Sequence, residues 1–410
     1  MPEKCDVLVI GAGLSGLVSS LKLRQEGLNV VLIEKNKKVG IHNQTKIDIT
    51  ESTGVESILE ELKLPVLDHS NFSKWFSPHN DFLFESKVHD LFLKRGSEKD
   101  SIDSVAGKIA EKKGANVLFE SEVKNLDFVN GSVKSVAVKQ KNKSLEFFPK
   151  FVIGADGSYG TTAALAGLDS FTGKETEIAG FGFAGTDFDL SPSMAHVFFD
   201  HRFLPGGYFY LAESQSGLGF AMAVFNKNRV SKPMADYFNG FVKSNPIVAN
   251  MLKGSKRLNF AAGACKTAQL KRHVRGNLCL VGDAGRVMDP LFGYGARQAI
   301  FSGYHAADTI AKNFRHHHFL LPNYQHLLGS SLLSNEREAH FLRGLFDRLT
   351  NEDFDFLVES ASFLHQRRSL DEILNNPPQH LSLLLQSILR KPHRSVPLGV
   401  KLLVHRLFYF

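Results

Sequence analysis

The first 34 residues place a strict limit on how this chain can fold. An apolar run of strand type, CDVLVI (5–10), leads directly into the glycine-rich segment GAGLSG (11–16). A helical pattern then stops near Gly27, and a second strand-like run (29–33) ends at Glu34. Strand, glycine turn, helix and strand in this order predict a βαβ unit with two parallel strands.

Each glycine of this segment has a physical role in such a unit. Gly11 permits the tight turn after the strand, Gly13 lets the backbone approach a pyrophosphate, and Gly16 lets the helix pack against the strand. The helix N-terminus offers unpaired N–H groups and a positive dipole end to phosphate, and Glu34 can accept hydrogen bonds from ribose hydroxyls. We therefore predict a dinucleotide site, with a glycine-rich turn that binds nothing as the alternative.

Two later segments repeat the combination of apolar strand, glycine and carboxylate. FVIGADGS (151–158) contains Asp156, and LCLVGDAG (278–285) contains Asp283. A carboxylate at the end of a buried strand is costly unless it is hydrogen-bonded. For Asp283 we predict sugar-like hydroxyls near a pyrophosphate as partners. The alternative for each residue is an N-cap of the segment that follows.

The residues after Asp283 keep the backbone bare in front of a helix. In DPLFGYGARQAI, Pro290 interrupts the chain path, and Gly293 and Gly295 have no side chains. A bare helix N-terminus is a favourable neighbour for the anionic edge of a reduced ring system. The three segments together predict one ligand. Its pyrophosphate meets the first segment, its linker hydroxyls meet Asp283, and its ring lies over 290–296.

In this order and spacing, the three segments resemble the FAD-binding fold shared by p-hydroxybenzoate-hydroxylase-type flavoproteins. The third segment is especially similar to the geranylgeranyl reductase family, whose pattern is GDAAG…P…G.G…A. The similarity covers residues 5–310 at the level of motif order. It implies FAD as the cofactor, with contacts at Gly11, Gly13, Ser15, Gly16, Glu34, Val123, Asp283, Gly295 and Ala296.

Further residues complete the predicted cofactor set. Val123, in ESEVKNL, resembles the strand that lends its backbone to the adenine. Arg95, in FLKRG, resembles the arginine that this superfamily places before its next helix, and a surface cation is the alternative. Asp156, Pro290 and Gly293 join the set through the segments described above.

The geranylgeranyl reductase family also carries an aromatic substrate motif, P-x-x-Y-x-W-x-F-P. Here Pro205 and Tyr208 match, Tyr210 replaces the tryptophan, and Ala212 and Glu213 replace the last two positions. GIHNQTKIDIT stands where the family has a Cys-Gly stretch after the second strand. The resemblance implies Pro205, Tyr208 and Tyr210 as substrate residues. Because the tyrosines lie two apart, a strand would place them on the same side.

We predict an α/β fold in three parts: a Rossmann-like FAD-binding domain, an inserted substrate domain with a mixed or antiparallel sheet, and a helical C-terminal region. These parts are expected at 1–70, 91–175 and 258–330; at 71–90 and 176–257; and at 331–410, respectively. Phe-, Gly- and Tyr-rich strands between 176 and 225 indicate the second sheet. They suit an elongated apolar substrate such as a prenyl chain, or they simply form the core of a sheet.

Composition argues against several classes of protein. The net charge is +7, but the basic residues are spread along the chain instead of forming a stripe, so we expect no nucleic-acid binding. The three cysteines, without CxxC, predict free thiols and no metal site. The sequence enters a strand at once and lacks an apolar run of about 18 residues, which predicts a cytoplasmic protein without a transmembrane helix.

Two further segments leave alternatives open. SVPLGVKLLVHRLFYF (395–410) places Leu403, Leu407 and Phe410 at helical spacing. This pattern fits a peripheral helix in contact with lipid, or a helix packed on the catalytic domain. The three histidines at 316–318 indicate a solvated helix end more than a metal site.

The resemblance implies an FAD-dependent oxidoreductase that saturates prenyl double bonds of a geranylgeranyl-type lipid. No catalytic side chain is identified, because the cofactor carries the difficult step. The alternatives are an FAD-dependent monooxygenase of the aromatic-hydroxylase type and a non-enzymatic prenyl-binding escort. Since there is no second GxGxxG, the reductant must be NAD(P)H or another electron carrier that docks transiently. The sequence does not specify the oligomeric state.

Overall fold

The structure is a computed structural model whose chain divides into two compact units. Unit 1 comprises Met1–Val66, Leu93–Thr176 and Cys265–Glu336, and unit 2 comprises Leu67–Phe92, Glu177–Ala264 and Arg337–Phe410. The described residues are 3–41, 46–172, 176–315, 321–334, 336–367, 386, 390–395, 397–398 and 401.

The strands and helices are numbered in chain order. The strands are β1 Glu3–Ile10, β2 Val30–Ile33, β3 Lys46–Glu51, β4 Asp68–Phe76, β5 Asp81–Arg95, β6 Asn116–Leu118, β7 Ser121–Val129, β8 Ser132–Gln140, β9 Lys143–Gly154, β10 Phe171–Thr172, β11 Glu177–Thr186, β12 Met194–Phe198, β13 Tyr208–Glu213, β14 Gly219–Asn226, β15 Lys256–Lys266, β16 Gln269–Leu270, β17 Val274–Arg275 and β18 Leu278–Leu280. The α-helices are α1 Leu14–Gln25, α2 Glu56–Leu62, α3 Ile102–Lys112, α4 Thr162–Leu165, α5 Met234–Ser244, α6 Pro246–Met251, α7 Ala296–Arg315, α8 Pro322–Ser330, α9 Glu336–Phe346 and α10 Asn351–His365. Short 3₁₀ helices span Lys227–Arg229 and Gly282–Gly285.

The core of unit 1 is a sheet whose central strands are parallel. Its order is β17-β18-β9-β1-β2-β6, and the strands from β18 to β6 run parallel to one another. β7 and β8 form an antiparallel hairpin that joins the sheet through β9. All four residues of β2 are buried, as expected of a parallel strand covered on both faces. This sheet confirms the predicted βαβ opening and the α/β class.

The three segments that carry glycine and acid follow neighbouring strands. Because β1, β9 and β18 are parallel, their carboxyl ends lie at one edge of the sheet. Backbone hydrogen bonds join the ends of β9 and β1, from the Ala155 N–H to the Ile10 carbonyl (2.8 Å), and the ends of β18 and β9, from the Val281 N–H to the Gly154 carbonyl (2.9 Å). The Gly11 N–H joins the end of β1 to that of β2 through the Ile33 carbonyl (2.7 Å). In open α/β sheets, ligands bind outside the carboxyl ends of the strands.

The core of unit 2 is a second sheet, with the strand order β15-β11-β14-β13-β12-β4-β5. β11, β14, β13 and β12 pair antiparallel in succession, whereas β12 and β4 pair parallel. One face of the sheet packs against α5 through a cluster of phenylalanines, namely Phe183, Phe209, Phe225, Phe238 and Phe241. A mixed, mainly antiparallel sheet agrees with the predicted fold class.

The C-terminal helices α9 and α10 group with the second sheet in unit 2. Thr350 and Asp353 form a capping box that begins α10. The predicted lipid-contacting residues Leu403, Leu407 and Phe410 and the histidines at 316–318 lie outside the described residues. Within the described ranges, no helix combines the length and the apolar character that crossing a bilayer requires.

Candidate functional site

Two glycines of the first segment are required by the fold of unit 1. Gly11 has a φ of +102°, and a Cβ at this position would overlap the carbonyl oxygen of Ala155. A Cβ on Gly16 would overlap the carbonyl oxygen of Gly11. The first glycine therefore lets the ends of β1 and β9 approach, and the second lets α1 pack against the turn.

Gly13 differs from its neighbours, because the space beside it is open. It is the N-cap of α1 with a φ of −73°, and no side chain caps this helix end. Apart from the residues next to it in the chain, no described atom lies within 4 Å of the position of a Cβ on Gly13. Unpaired N–H groups of the first helical turn beside open space form a site suited to a pyrophosphate.

Glu34, the residue after β2, is hydrogen-bonded to the glycine turn. Its Oε2 accepts a hydrogen bond from the Ala12 N–H at 2.9 Å, and its Oε1 accepts one from the Asn36 N–H at 2.8 Å. The Ser121 N–H donates to the Glu34 carbonyl at 2.9 Å, so β7 begins next to this residue. Val123 is buried two residues further along β7. A carboxylate oxygen can accept more than one hydrogen bond, so acceptor capacity remains for ribose hydroxyls.

The first and third segments are in direct contact around Ser15. A Cβ on Gly282, whose φ is +55°, would lie 2.6 Å from the Ser15 Oγ. The Gly282 N–H donates to the Ser302 Oγ at 2.9 Å. A Cβ on Gly303 would overlap the Ser15 carbonyl oxygen, so α1 and α7 pack closely together. Segments that are distant in the sequence thus form one side of a common site.

Asp283 belongs to a polar cluster at this site. Burial raises the pKa of Asp283. Two effects offset this increase only in part: the Cys265 thiol donates a hydrogen bond to the carboxylate, and Lys46 and Arg95 lie nearby with positive charges. Burial and then the charge of Asp283 raise the pKa of the Cys265 thiol. A Cβ on Gly295 would lie 3.5 Å from the Asp283 Oδ1, so the glycine before α7 adjoins the carboxylate. Additional hydroxyl donors from a ligand would stabilise this acid.

Asp156 is partly satisfied by the protein itself. Its Oδ2 accepts hydrogen bonds from the Thr162 N–H at 2.9 Å and from the Thr162 hydroxyl at 2.8 Å, at the start of α4. Its Oδ1 is buried and has no hydrogen-bond partner among the described residues. The helix-capping alternative therefore accounts for one oxygen of Asp156, and a role toward a ligand stays a prediction for the other.

The loop before α7 is closed by Asp289. The Phe292 N–H donates to the Asp289 Oδ1 at 2.8 Å, and the Gly293 N–H donates to the Asp289 carbonyl at 3.0 Å. The Asp289 N–H donates to the Tyr294 carbonyl at 2.9 Å, and Gly293 has a φ of +80°. The other predicted members of this loop are the buried Pro290 and Ala296, the first residue of α7. These bonds give a fixed shape to the loop predicted to lie under the ring.

Arg95 is not a surface cation, so that alternative is wrong. It is 6% exposed, and its Nε and Nη2 donate to the two oxygens of Asp103 at 2.9 and 2.8 Å. Its Nη1 donates to Asp48 Oδ2 at 2.6 Å, and Asp48 also pairs with Lys46 at 2.9 Å. Carboxylates therefore hold Arg95 on two sides, and a contact between Arg95 and FAD stays a prediction.

Buried oxygen atoms without partners provide a test of whether a large ligand fits unit 1. Among the described residues, the Thr50 Oγ1 and the Gln298 Oε1 are buried without a hydrogen-bond partner, as is the Asp156 Oδ1. Arg297 Nε donates to the Thr53 carbonyl at 3.1 Å, so the chain after β3 lies beside the first turn of α7. Together with the open space at Gly13, these atoms fit FAD, since buried polar atoms normally have partners.

In unit 2, the predicted substrate residues lie at the start of β13. Tyr208 and Tyr210 share one face of the strand, with ring centroids 6.4 Å apart. Phe209 between them is fully buried in the cluster against α5, on the opposite face. The carbonyl of Pro205 accepts a hydrogen bond from the Asn226 N–H at 3.2 Å. The two tyrosines therefore lie on the same side of β13, as their spacing in the sequence predicts.

Sequence reasoning did not identify Thr50, Cys265, Ser302 or Gly303 as neighbours of the site. None of them belongs to a local motif, and each reaches the site through pairing of distant segments. Asp289 had a usable signal, because Asp-Pro is a turn-forming dipeptide.

The chain matches the sequence model of the family described as FAD binding domain over residues 4–326. A digeranylgeranylglycerophospholipid reductase from Methanocella arvoryzae is 26% identical over 322 residues, which cover 77% of this chain and 79% of that protein. A digeranylgeranylglycerophospholipid reductase from Thermoplasma volcanium is 24% identical over 371 residues, which cover 88% of this chain and 92% of that protein.

A solved structure has the same fold. It is that of a geranylgeranyl bacteriochlorophyll reductase-like protein from Thermoplasma acidophilum, with a TM-score of 0.78 and 21% identity. The alignment covers 98% of this chain and 100% of that one. The family match covers well over half of the chain and includes all three segments that meet at the sheet edge. The chain therefore belongs to the FAD-binding-domain family and is an FAD-dependent oxidoreductase.

Proposed function

We propose that this protein saturates double bonds in the prenyl chains of a geranylgeranyl-type lipid. The names of the two relatives support this substrate class. The structural observation that carries the proposal is an apolar face on the sheet of unit 2, opposite the face that packs against α5. This face bears both tyrosines of the predicted substrate motif.

The strand register defines this apolar face. One row across five strands consists of Gly182, Met222, Tyr210, Val197 and Trp75. The adjacent row consists of Gly180, Val224 and Tyr208. Among the described residues of β11 to β14, no charged side chain lies on this face. Aromatic and thioether groups beside two bare glycines are suited to a branched hydrocarbon chain.

In unit 1 we assign the cofactor contacts by chemistry. The N-terminus of α1 at Gly13 holds the pyrophosphate, Glu34 the ribose, Asp283 the linker hydroxyls, and the loop 290–296 the ring. Reduced FAD, when bound, would supply the hydride that adds to one alkene carbon, and a proton would add to the other carbon. The protein supplies orientation and excludes water, and a hydrocarbon substrate requires no charged side chain for its recognition. Electrons come from NAD(P)H or from another carrier that docks transiently.

Asp283→Asn is expected to stabilise the FAD-free protein at neutral pH and to weaken FAD binding. The pKa of Asp283 is raised by burial. The ionised carboxylate therefore destabilises the folded protein. This destabilisation begins as the pH rises through the pKa of the unfolded chain, about 3.9, and is complete above the pKa of the folded protein. Asparagine removes the charge and can still accept a hydrogen bond from Cys265. Thermal unfolding of the FAD-free protein is the measurement, at neutral pH and again at a pH near 3.

The stabilisation should be present at neutral pH and absent at the acidic value, where the wild-type acid is protonated as well. A flavin fluorescence titration should show weaker binding of FAD, because a neutral amide is a poorer acceptor for hydroxyl donors than a carboxylate. Unchanged FAD affinity would remove Asp283 from the assigned contacts.

Activity can be tested directly with reduced protein. The FAD-loaded protein, reduced by dithionite under anaerobic conditions, is incubated with a geranylgeranylated glycerophospholipid, and the lipid is analysed by mass. The expected result is that the mass of the lipid increases by one H₂ for each bond saturated. FAD-depleted protein to which no FAD is added back should leave the mass unchanged. Oxygen-dependent NADPH consumption with hydroxylation of a phenolic acid would instead identify a monooxygenase. Lipid binding by a protein that takes up no FAD would identify an escort.

A further inference from the structure

Helix α9 reaches the turn that precedes Tyr208. Arg343 is 3% exposed, and its Nη2 donates to the Gly206 carbonyl and also pairs with Asp347. Gly206 has a φ of +62°, and a Cβ there would lie 2.5 Å from the Asp347 Oδ1. The turn is therefore packed tightly against this ion pair, and the guanidinium holds its carbonyl.

Asp347 extends this contact to the neighbouring strand. Its Oδ2 accepts a hydrogen bond at 2.8 Å from the side-chain amide of Asn226, the last residue of β14. The Asn226 N–H donates in turn to the Pro205 carbonyl at 3.2 Å. A Cβ on Gly207 would overlap the Val224 carbonyl oxygen, so the turn lies directly on β14. The ion pair between Arg343 of α9 and Asp347, the residue after α9, thus connects the start of β13 to the end of β14.

The residues that lead into the turn are held by the same part of unit 2. The His201 N–H donates to the Asn351 Oδ1 at 3.0 Å. The Phe199 ring stacks on Phe354 with centroids 5.1 Å apart and lies 6.5 Å from the ring of Tyr208. These partners lie after residue 326, where the match to the FAD-binding family ends. A part of the chain outside the family match therefore fixes the segment that carries the substrate motif.

We propose that Arg343 is a positioning residue for the substrate. By holding the Gly206 carbonyl, it sets where Tyr208 and Tyr210 stand on the apolar face, and so determines which prenyl chains the face accepts. The inference rests on the proposed function, because it assigns a substrate to that face. Arg343 does not contact the substrate itself; it acts through the turn and the two tyrosines.

The test uses the double variant Arg343→Met with Asp347→Asn. This pair leaves no unpaired buried charge, and the new asparagine can still accept the hydrogen bond from Asn226, so the protein is expected to fold. The variant loses the hydrogen bond to the Gly206 carbonyl, the Arg343–Asp347 ion pair and the contact of the guanidinium with the Phe346 ring. Binding of a fully saturated prenyl glycerolipid is followed by the fluorescence of Trp75, the single tryptophan, which shares a row with Tyr210 on the apolar face. This titration does not depend on turnover.

We expect the double variant to bind the saturated lipid roughly tenfold more weakly, because small displacements of positioning groups have effects of this order. The ratio of kcat/KM for a long and a short prenyl chain should also fall, while the absorbance spectrum of bound FAD stays unchanged. A lower folded fraction would reduce both kcat/KM values equally and leave their ratio unaltered. Arg343→Lys, which keeps the charge but not the fork of donors, should give an intermediate effect.

Arg202→Ala is the matched control. Arg202 also pairs with an aspartate in this segment, Asp200, at 2.6 Å, but its side chain is 65% exposed. The Arg202→Ala variant should bind the lipid as tightly as the wild type and should keep the wild-type ratio of kcat/KM for the long and the short prenyl chain. Wild-type affinity and ratio in the double variant would overturn the positioning role and leave the proposed function standing. A wild-type protein that binds no prenyl lipid would overturn the proposed function, and the positioning role with it.

Discussion

A protein carrying Gly13→Val is expected to fold and to be purified without colour. The position has extended backbone geometry that valine adopts readily, and apart from its chain neighbours no described atom lies within 4 Å of a Cβ there. The isopropyl group fills the space in which a pyrophosphate must approach the N–H groups of α1. We expect the affinity for FAD to fall by about 100-fold or more, which corresponds to roughly 2.7 kcal/mol. Flavin absorbance after purification and an FAD titration measure the effect.

Gly329→Ala provides the control for this variant. Gly329 in α8 likewise has open space at its Cβ position, but it lies in none of the glycine-acid segments. Alanine there should keep the full content of FAD and raise the free energy of unfolding by about 0.5–1 kcal/mol. If Gly13→Val binds FAD as tightly as the wild type, the pyrophosphate does not lie at this turn and the assignment of the site is wrong.

Arg95→Met is expected to lower the free energy of unfolding by about 3–5 kcal/mol. The substitution leaves the fully buried carboxylate of Asp103 without its two-pronged partner and takes one of two cations from Asp48. Chemical denaturation of the FAD-free protein measures the loss. Lys94→Met is the control beside it: Lys94 pairs with Asp100, which is largely exposed, so the loss should stay within about 0.5 kcal/mol.

The same substitution should change the response to acid. Burial alone would raise the pKa of Asp48, but Lys46 and Arg95 outweigh it, so the folded-state pKa lies below the ordinary value of about 3.9. Asp48 therefore contributes stability above that pH, and this contribution is lost as the pH falls through the folded-state pKa. Without Arg95, the midpoint of acid unfolding should move to a higher pH. An unchanged midpoint would contradict both this shift and the loss of stability expected for the same variant.

The parts of the fold that the sequence predicts well are those with strong local signals. The opening βαβ unit follows from a short apolar strand, a glycine turn and an acid at the end of the next strand. The β7–β8 hairpin follows from Asn130 and Gly131, both of which have positive φ, at +50° and +81°. The acid after β18 predicts a polar contact, because a buried carboxylate at a strand end needs one.

The parts that escaped prediction depend on distant residues or on irregular patterns. β4 and β5 alternate poorly, since polar residues interrupt both DHSNFSKWF and DFLFESKVHDLFLKR, and the pairing of β4 with β12 is what orders them in the sheet. The environment of Arg95 depends on Asp48, 47 residues earlier in the chain. Arg343 lies beyond every motif. Its ion pair with Asp347 has a spacing that the sequence shows, but its hydrogen bond to the backbone carbonyl of Gly206 leaves no mark in the sequence.

The close packing of α1 against α7 has a consequence for the order in which the site can form during synthesis. The Ser19 hydroxyl donates to the carbonyl of Gly303 at 2.9 Å, across 284 residues of sequence. The turn predicted to receive the pyrophosphate is therefore synthesised well before the helix that supports it, because 284 residues separate the two partners of this bond. We expect FAD to bind only after α7 has been made, so nascent chains that end before α7 should lack flavin.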